Sequence, residues 1–216
     1  MSFLDDIRSS APEFLTGLSL TVQLTIWTLV LSVLIGGVLA AMRASRVPPV
    51  RWLASVYLAL VRGTPLIAQL FVIYFGIVAI VQVPAFTAAV IGLSVHNAAY
   101  VAEIFRSGLS SVPRGQVEAA RSLGMSRTLA MRKIVGPQAL KVVIPALANQ
   151  SILALKETAV ASFITVDELF QQAQRLAAAT FQPLTYYLIV SIYYFVVIWI
   201  MTQLAARLER RMSADA

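Results

Sequence analysis

The sequence predicts an all-α membrane protein with about five transmembrane helices, and three observations carry that prediction. Apolar residues make up 59% of the 216 residues and charged residues 12%, against roughly 45–50% and about 25% in soluble domains. Charge-free runs cover residues 14–42 and 63–102, each longer than the ~20 residues that cross a ~30 Å hydrocarbon core. The basic residues lie in clusters between such runs rather than along one face. That distribution orients spans and argues against a nucleic-acid surface, despite the net charge of +7.

The N-terminal stretch carries Asp5 and Asp6 and lacks the basic start and cleavage site of a signal peptide. The first span is expected at about 15–42, tilted because it is long. Arg43, Arg46 and Arg51 follow around Pro48 and Pro49 in a short loop, cytoplasmic by the positive-inside rule. Residues 63–102 are too long for one span and suit two, about 64–81 and 84–105, with a turn at Gln82, Val83 and Pro84. Thr64 followed by Pro65 has the form of an N-cap and first-turn proline. Residues 52–61 then form a helix leading in from the cytoplasmic face, or else one helix is kinked at 63–65.

The fourth span is expected at about 140–158. Residues 166–182 hold Asp167, Glu168, Gln171, Gln172 and Gln174, too polar to cross, and read as a short helix at the outer surface. The fifth span, about 183–206, is stopped by Arg207, Glu209, Arg210 and Arg211. Five spans put the N-terminus outside and the C-terminus inside. Of the 17 basic residues, only Arg8 and Arg175 then face outward, and Arg62 and Lys156 lie near or within spans; the rest are cytoplasmic.

The long polar interruption, residues 112–137, has an order of its own. Glu118, Ala119 and Ala120 are followed after three residues by Gly124, then after nine by Ile134, with Gly136 and Pro137 closing the string. Residues 116–123 favour a helix whose alanines form a flat face that another backbone can approach. Gly124 is expected to stop that helix, and a second helical run, 126–135, is expected to end before Pro137. The loop reads as a docking surface of two short helices around a glycine corner.

This string resembles the cytoplasmic coupling loop of ABC importer permeases, with Gly136 where the family usually carries Leu. Residues 60–66 (Leu-Val-Arg-Gly-Thr-Pro-Leu), 98–108 (Ala-Ala-Tyr-Val-Ala-Glu-Ile-Phe-Arg-Ser-Gly) and 155–159 (Leu-Lys-Glu-Thr-Ala) are similar to the polar amino acid group, the histidine, glutamine, arginine and opine permeases. The resemblance spans roughly residues 18–207 and implies the type I ABC importer permease fold as a single transmembrane domain over 1–216. It also implies an inner-membrane location, two partner ATPase subunits, a second permease copy or paralogue, an external solute-binding protein and an amino acid substrate. ATP and Mg would be held by the partners, since this chain has no Gly-x-x-x-x-Gly-Lys-Ser/Thr loop. Glu118, Ala119, Ala120 and Gly124 would couple to the ATPases, and Arg62, Thr64 and Pro65 would form a gate. ATP binding would draw the paired loops together and turn the spans outward; hydrolysis would release them.

With no cysteine and one histidine, neither thiol catalysis nor a metal cluster is expected. Polar side chains within spans are few. His96, Asn97 and Tyr100, with Glu157 opposite, are the expected substrate cavity, Glu157 taking an ammonium and Asn97 a carboxylate. The plainer alternative is that Lys156 and Glu157 reach the outer interface, Glu103 pairs with Arg106 or Arg62, and Asn97 and Asn149 tie spans together. Competing functions are a permease for another small solute (anion, metal chelate or peptide), a membrane-embedded enzyme, for which His96, Glu103 and Glu157 are too scattered, and a channel, for which no filter-like string is visible.

Overall fold

The structure is a computed structural model that describes residues 3–214, and every regular element among them is helical. Helix α1 runs unbroken from Phe3 to Ala44, 42 residues, or about 63 Å and twice the hydrocarbon thickness. It starts well before residue 15, with Asp5 and Asp6 in its first turn, where carboxylates complement the helix dipole. Apart from Phe14, Leu24 and Leu39, its buried stripe is made of small and polar residues, among them Ser10, Gly17, Thr21, Thr25, Thr28, Ser32 and Gly36. Trp27, Leu34 and Val38 are instead 54%, 62% and 60% exposed. A helix that meets lipid has no hydrophobic reason to bury its leucines, so close packing and interhelical hydrogen bonds decide which face turns inward.

That stripe packs along α4, Ala85–Ser110. A Cβ on Gly36 would stand 2.7 Å from Val101 Cγ1 and 3.0 Å from the Ala98 carbonyl oxygen, so only glycine allows the approach. Ser32 Oγ donates to the Ser94 carbonyl at 3.2 Å and Ser94 Oγ to that of Thr28 at 3.4 Å.

Between α1 and α4 lie α2, Pro48–Arg62, and α3, Leu66–Val78, meeting at 110°. A helix leading in ahead of a second one that begins just after the 63–65 break matches the first of the two expected forms, although α2 starts earlier than residue 52 and α3 stops short of residue 81. With 13 residues, α3 is only ~20 Å long. Thr64 is not the cap of α3: Pro65 holds that position with extended backbone, and the Thr64 hydroxyl donates back to Leu60 O at 2.8 Å. Tyr57 pins α2 to α4 by donating to Val95 O at 2.6 Å.

The polar loop follows. Helix α5, Arg114–Ser122, ends at Gly124, whose φ is +79°. Gly124 N–H donates to Arg121 O and Met125 N–H to Ala120 O, both at 3.1 Å, the paired bonds of a Schellman stop. A Cβ on Gly124 would meet nothing within 4 Å, so the backbone alone demands glycine. Gly124→Ala should therefore cost about 1–2 kcal/mol of loop stability, while Gly124→Asn should be milder; greater local proteolysis in the Ala variant, and not in the Asn variant, checks this.

Ser126 caps α6, Arg127–Ala130, by accepting from Leu129 N–H at 3.2 Å. The expected break before Pro137 is absent. Residues Met131–Val135 form a widened π turn in which Gly136 N–H reaches Met131 O, and α7 runs on from Gly136 to Glu157. An α turn would drive the Pro137 ring into the carbonyl four residues back; one extra residue in the turn relieves it.

A 3₁₀ segment, Thr158–Ile164, leads to α8, Leu169–Thr180, and then α9, Pro183–Ala214. The charges from Arg207 onward end an apolar run but not the helix. The short helix expected at 166–182 is present as α8, and Glu168, fully buried, anchors it. Its carboxylate accepts from Phe170 N–H at 2.9 Å, Gln171 N–H at 2.8 Å and the Tyr194 hydroxyl at 3.0 Å, while Leu169 N–H donates to Thr21 Oγ1 at 3.0 Å. These bonds join α1, α8 and α9. Among the described residues four helical runs are long and apolar enough to cross a membrane, α1, α4, Arg127–Ile164 and α9, or five with the bent pair counted.

Candidate functional site

Two places gather the chemistry. The first is where α3, α4 and the end of α7 meet. Asn97, fully buried on α4, donates from Nδ2 to Glu157 Oε2 at 2.7 Å and to Leu93 O at 3.1 Å. Its Oδ1 accepts from Gln150 Nε2 at 2.8 Å. Both N–H donors of this amide are in use and its oxygen holds one partner, so in this arrangement the side chain holds Glu157 rather than offering a donor to a carboxylate. Glu157 keeps its other oxygen, Oε1, at 4.0 Å from His96 Nε2, with 26% of its side chain exposed. It is thus held by one edge and open at the other.

His96 packs against Tyr100 with ring centroids 5.2 Å apart, and its Nδ1 lies 3.0 Å from Gln69 Oε1. The four expected residues, His96, Asn97, Tyr100 and Glu157, are thus brought together, and Gln69 and Gln150 join them. The signal for those two was present in the sequence as carboxamides inside apolar runs, a costly placement without partners. Glu103, one turn beyond Tyr100, does not join. Arg106 donates to it from Nε at 2.8 Å and again from Nη2, and Arg43 Nη1 stands 3.7 Å from its second oxygen. Lys156 is exposed and points away from its neighbour Glu157, as adjacent helical residues must. Arg62, Thr64 and Pro65 lie at the break between α2 and α3.

The second place is the α5–α6 corner. Glu118 and Ala119 are exposed on α5, whereas Ala120 is 4% exposed and turned into the loop's own packing. The flat outward face therefore rests on Ala119 alone of the two alanines. Next to Gly124, Leu123 is 81% exposed and Val117 36%, an apolar surface on an element made otherwise of polar residues. Among the described residues no group of three His, Asp or Glu could hold a metal.

Comparison with known proteins places both features in context. Over 206 residues the chain is 34% identical to the arginine transport system permease protein ArtQ of Bacillus subtilis, covering 94% of each. It is 37% identical to the probable amino-acid ABC transporter permease protein PatM of Vibrio harveyi, covering 94% of this chain and 92% of the relative. A crystal structure of an amino acid ABC transporter with histidines superposes with a TM-score of 0.92 at 40% identity, over 98% of this chain and 99% of that one. Residues 32–214 match the family described as binding-protein-dependent transport system inner membrane component. With the family's pattern carried over more than half its length, on an all-helical framework with the loop and the polar cluster at two ends of one helical run, the chain belongs to that family of transport permeases.

Proposed function

We propose that this chain is the transmembrane permease subunit of an ATP-driven ABC importer for amino acids, with Glu157 taking the substrate's ammonium. The observation that carries the reading is the half-engaged carboxylate: Asn97, itself held by Gln150, fixes one oxygen, and the other lies 4.0 Å from His96 Nε2 on a side chain that is 26% exposed. A fixed anion with one edge not hydrogen-bonded suits a cation such as an ammonium. The same carboxylate would repel an inorganic anion, which sets that alternative cargo aside. Relatives named for arginine transport and for amino acids in general support the substrate class.

The α5–α6 corner serves as the face on which partner ATPase subunits dock, with Glu118, Ala119 and Gly124 forming its outer part and Ala120 its packed underside. Arg62, Thr64 and Pro65, at the break between α2 and α3, are the gate. A second permease copy or a paralogue completes the translocation path, and an external solute-binding protein delivers the cargo. Affinity purification from the host membrane tests the class: a stoichiometric ATPase subunit should accompany the chain, and amino acids should raise the complex's melting temperature. Recovery of the chain alone, or stabilisation by phosphate and not by amino acids, would sink the reading.

The loop faces the cytoplasm and α8 faces outside, giving an external N-terminus and an internal C-terminus. Because the chain has no cysteine, Arg127→Cys and Gln174→Cys can be labelled without background. Position 174 should react with an impermeant maleimide in intact cells and position 127 only after the membrane is opened; the reverse pattern would invert the topology.

A further inference from the structure

The break between α2 and α3 creates a problem that one side chain solves. Pro65 has no N–H, so the carbonyl of Val61, four residues earlier, lacks the donor that a continuing helix would supply. Gln69 Nε2 supplies it at 2.7 Å, and the same nitrogen lies 3.0 Å from Thr64 O and 2.7 Å from Thr64 Oγ1. The Thr64 hydroxyl is itself donating to Leu60 O and can only accept from Gln69. Two amide hydrogens thus serve three acceptors, all in or beside the break.

This fixes the orientation of the carboxamide. With Nε2 committed to the break, Oε1 must face His96, and His96 Nδ1 must be the donor across their 3.0 Å contact. The other ring nitrogen, Nε2, is then the one that faces Glu157 Oε1. Hydrogen bonds run from the bent backbone through Gln69 to His96, and His96 Nε2 then approaches Glu157 Oε1 to 4.0 Å. Beside the break is an open groove of about 170 Å³ lined by Leu60, Val61, Thr64, Gln69, Val72 and Val95 among others.

We infer that Gln69 is a positioning residue that couples occupancy at Glu157 to the angle between α2 and α3. The inference rests on the proposed substrate site. A cation arriving at Oε1 changes what His96 Nε2 faces, and a shift of His96 bears on Gln69, whose other end holds the broken backbone. Gln69 touches no substrate; its effect is on the conformational response to substrate, a coupling between two places that both bias one bistable element.

The test uses the reconstituted complex with its ATPase and binding protein, comparing Gln69→Leu, His96→Leu and the double variant. Gln69→Leu should reduce substrate stimulation of ATP hydrolysis at least fivefold while the half-saturation for uptake moves less than twofold. The double variant should be no worse than the poorer single variant, because both cut one path. Gln69→Glu keeps the side chain's size and its oxygen toward His96 but removes the donor to Val61 and Thr64. It should uncouple as Gln69→Leu does, and it provides the same readouts if the leucine variant fails to assemble. Normal stimulation in either Gln69 variant, or losses that multiply in the double variant, would overturn the coupling role. Glu157→Gln is run beside them: normal uptake there would remove the substrate site itself, an outcome separable from normal coupling in the Gln69 variants.

Discussion

Glu157→Gln should raise the half-saturation for uptake by roughly 10- to 100-fold in complexes that assemble normally. The estimate follows from the ~1.5–3 kcal/mol net value of a hydrogen bond to a charged group, each ~1.4 kcal/mol being tenfold in affinity. Glutamine keeps the shape and can still accept from Asn97, so the buried amide pair with Gln150 survives and the loss falls on the cation. Asn97→Ala acts differently. It leaves Gln150 Nε2 and one Glu157 oxygen without their partner inside the helix bundle, so it should lower thermal stability as well as uptake. Uptake with unchanged half-saturation in both variants would place the substrate elsewhere.

Ala119→Trp should cut substrate-stimulated ATP hydrolysis and uptake about tenfold or more, with the permease itself still folded. Ala119 is exposed on α5, so an indole there meets no part of this chain and harms only a partner that needs a close approach. Overfilling such a contact costs about 1–3 kcal/mol. Ala120→Trp is the contrast, because Ala120 is buried in the loop and its replacement should loosen α5 against α6 before any partner is considered. Full substrate stimulation in the Ala119→Trp complex would mean that α5 does not bear the ATPase.

The apolar runs and the basic clusters made the membrane class legible, since both follow from the cost of charge in lipid. The glycine corner was legible too, because the positive φ at Gly124 is a demand that a single residue type meets. Residue spacing also brought His96 and Tyr100 to one face. Less visible was the interior of α1: Thr21, Thr25, Thr28 and Ser32 are buried and Trp27 is not, a choice made by neighbouring helices and lipid rather than by periodic hydrophobicity. The passage through Pro137 was hidden for a similar reason. A proline predicts trouble with an α turn, and it says nothing about whether the chain resolves that trouble by stopping or by widening. The role of Asn97 depended on partners 53 and 60 positions away, which no local pattern announces.

The unbroken course from Arg127 to Ile164 makes the π turn at Met131–Val135 mechanically important. Had the chain stopped before Pro137, the loop and the Glu157 carboxylate would sit on separate bodies joined by a swivel. Instead Arg127 and Glu157 ride on one lever, ~45 Å apart at 1.5 Å per residue. Tilting that lever by about 5° sweeps its far end through ~4 Å, more than the length of a hydrogen bond. A small displacement imposed at the proposed docking corner would therefore be amplified, along this run, into a change large enough to seize or let go of a cation at the proposed site.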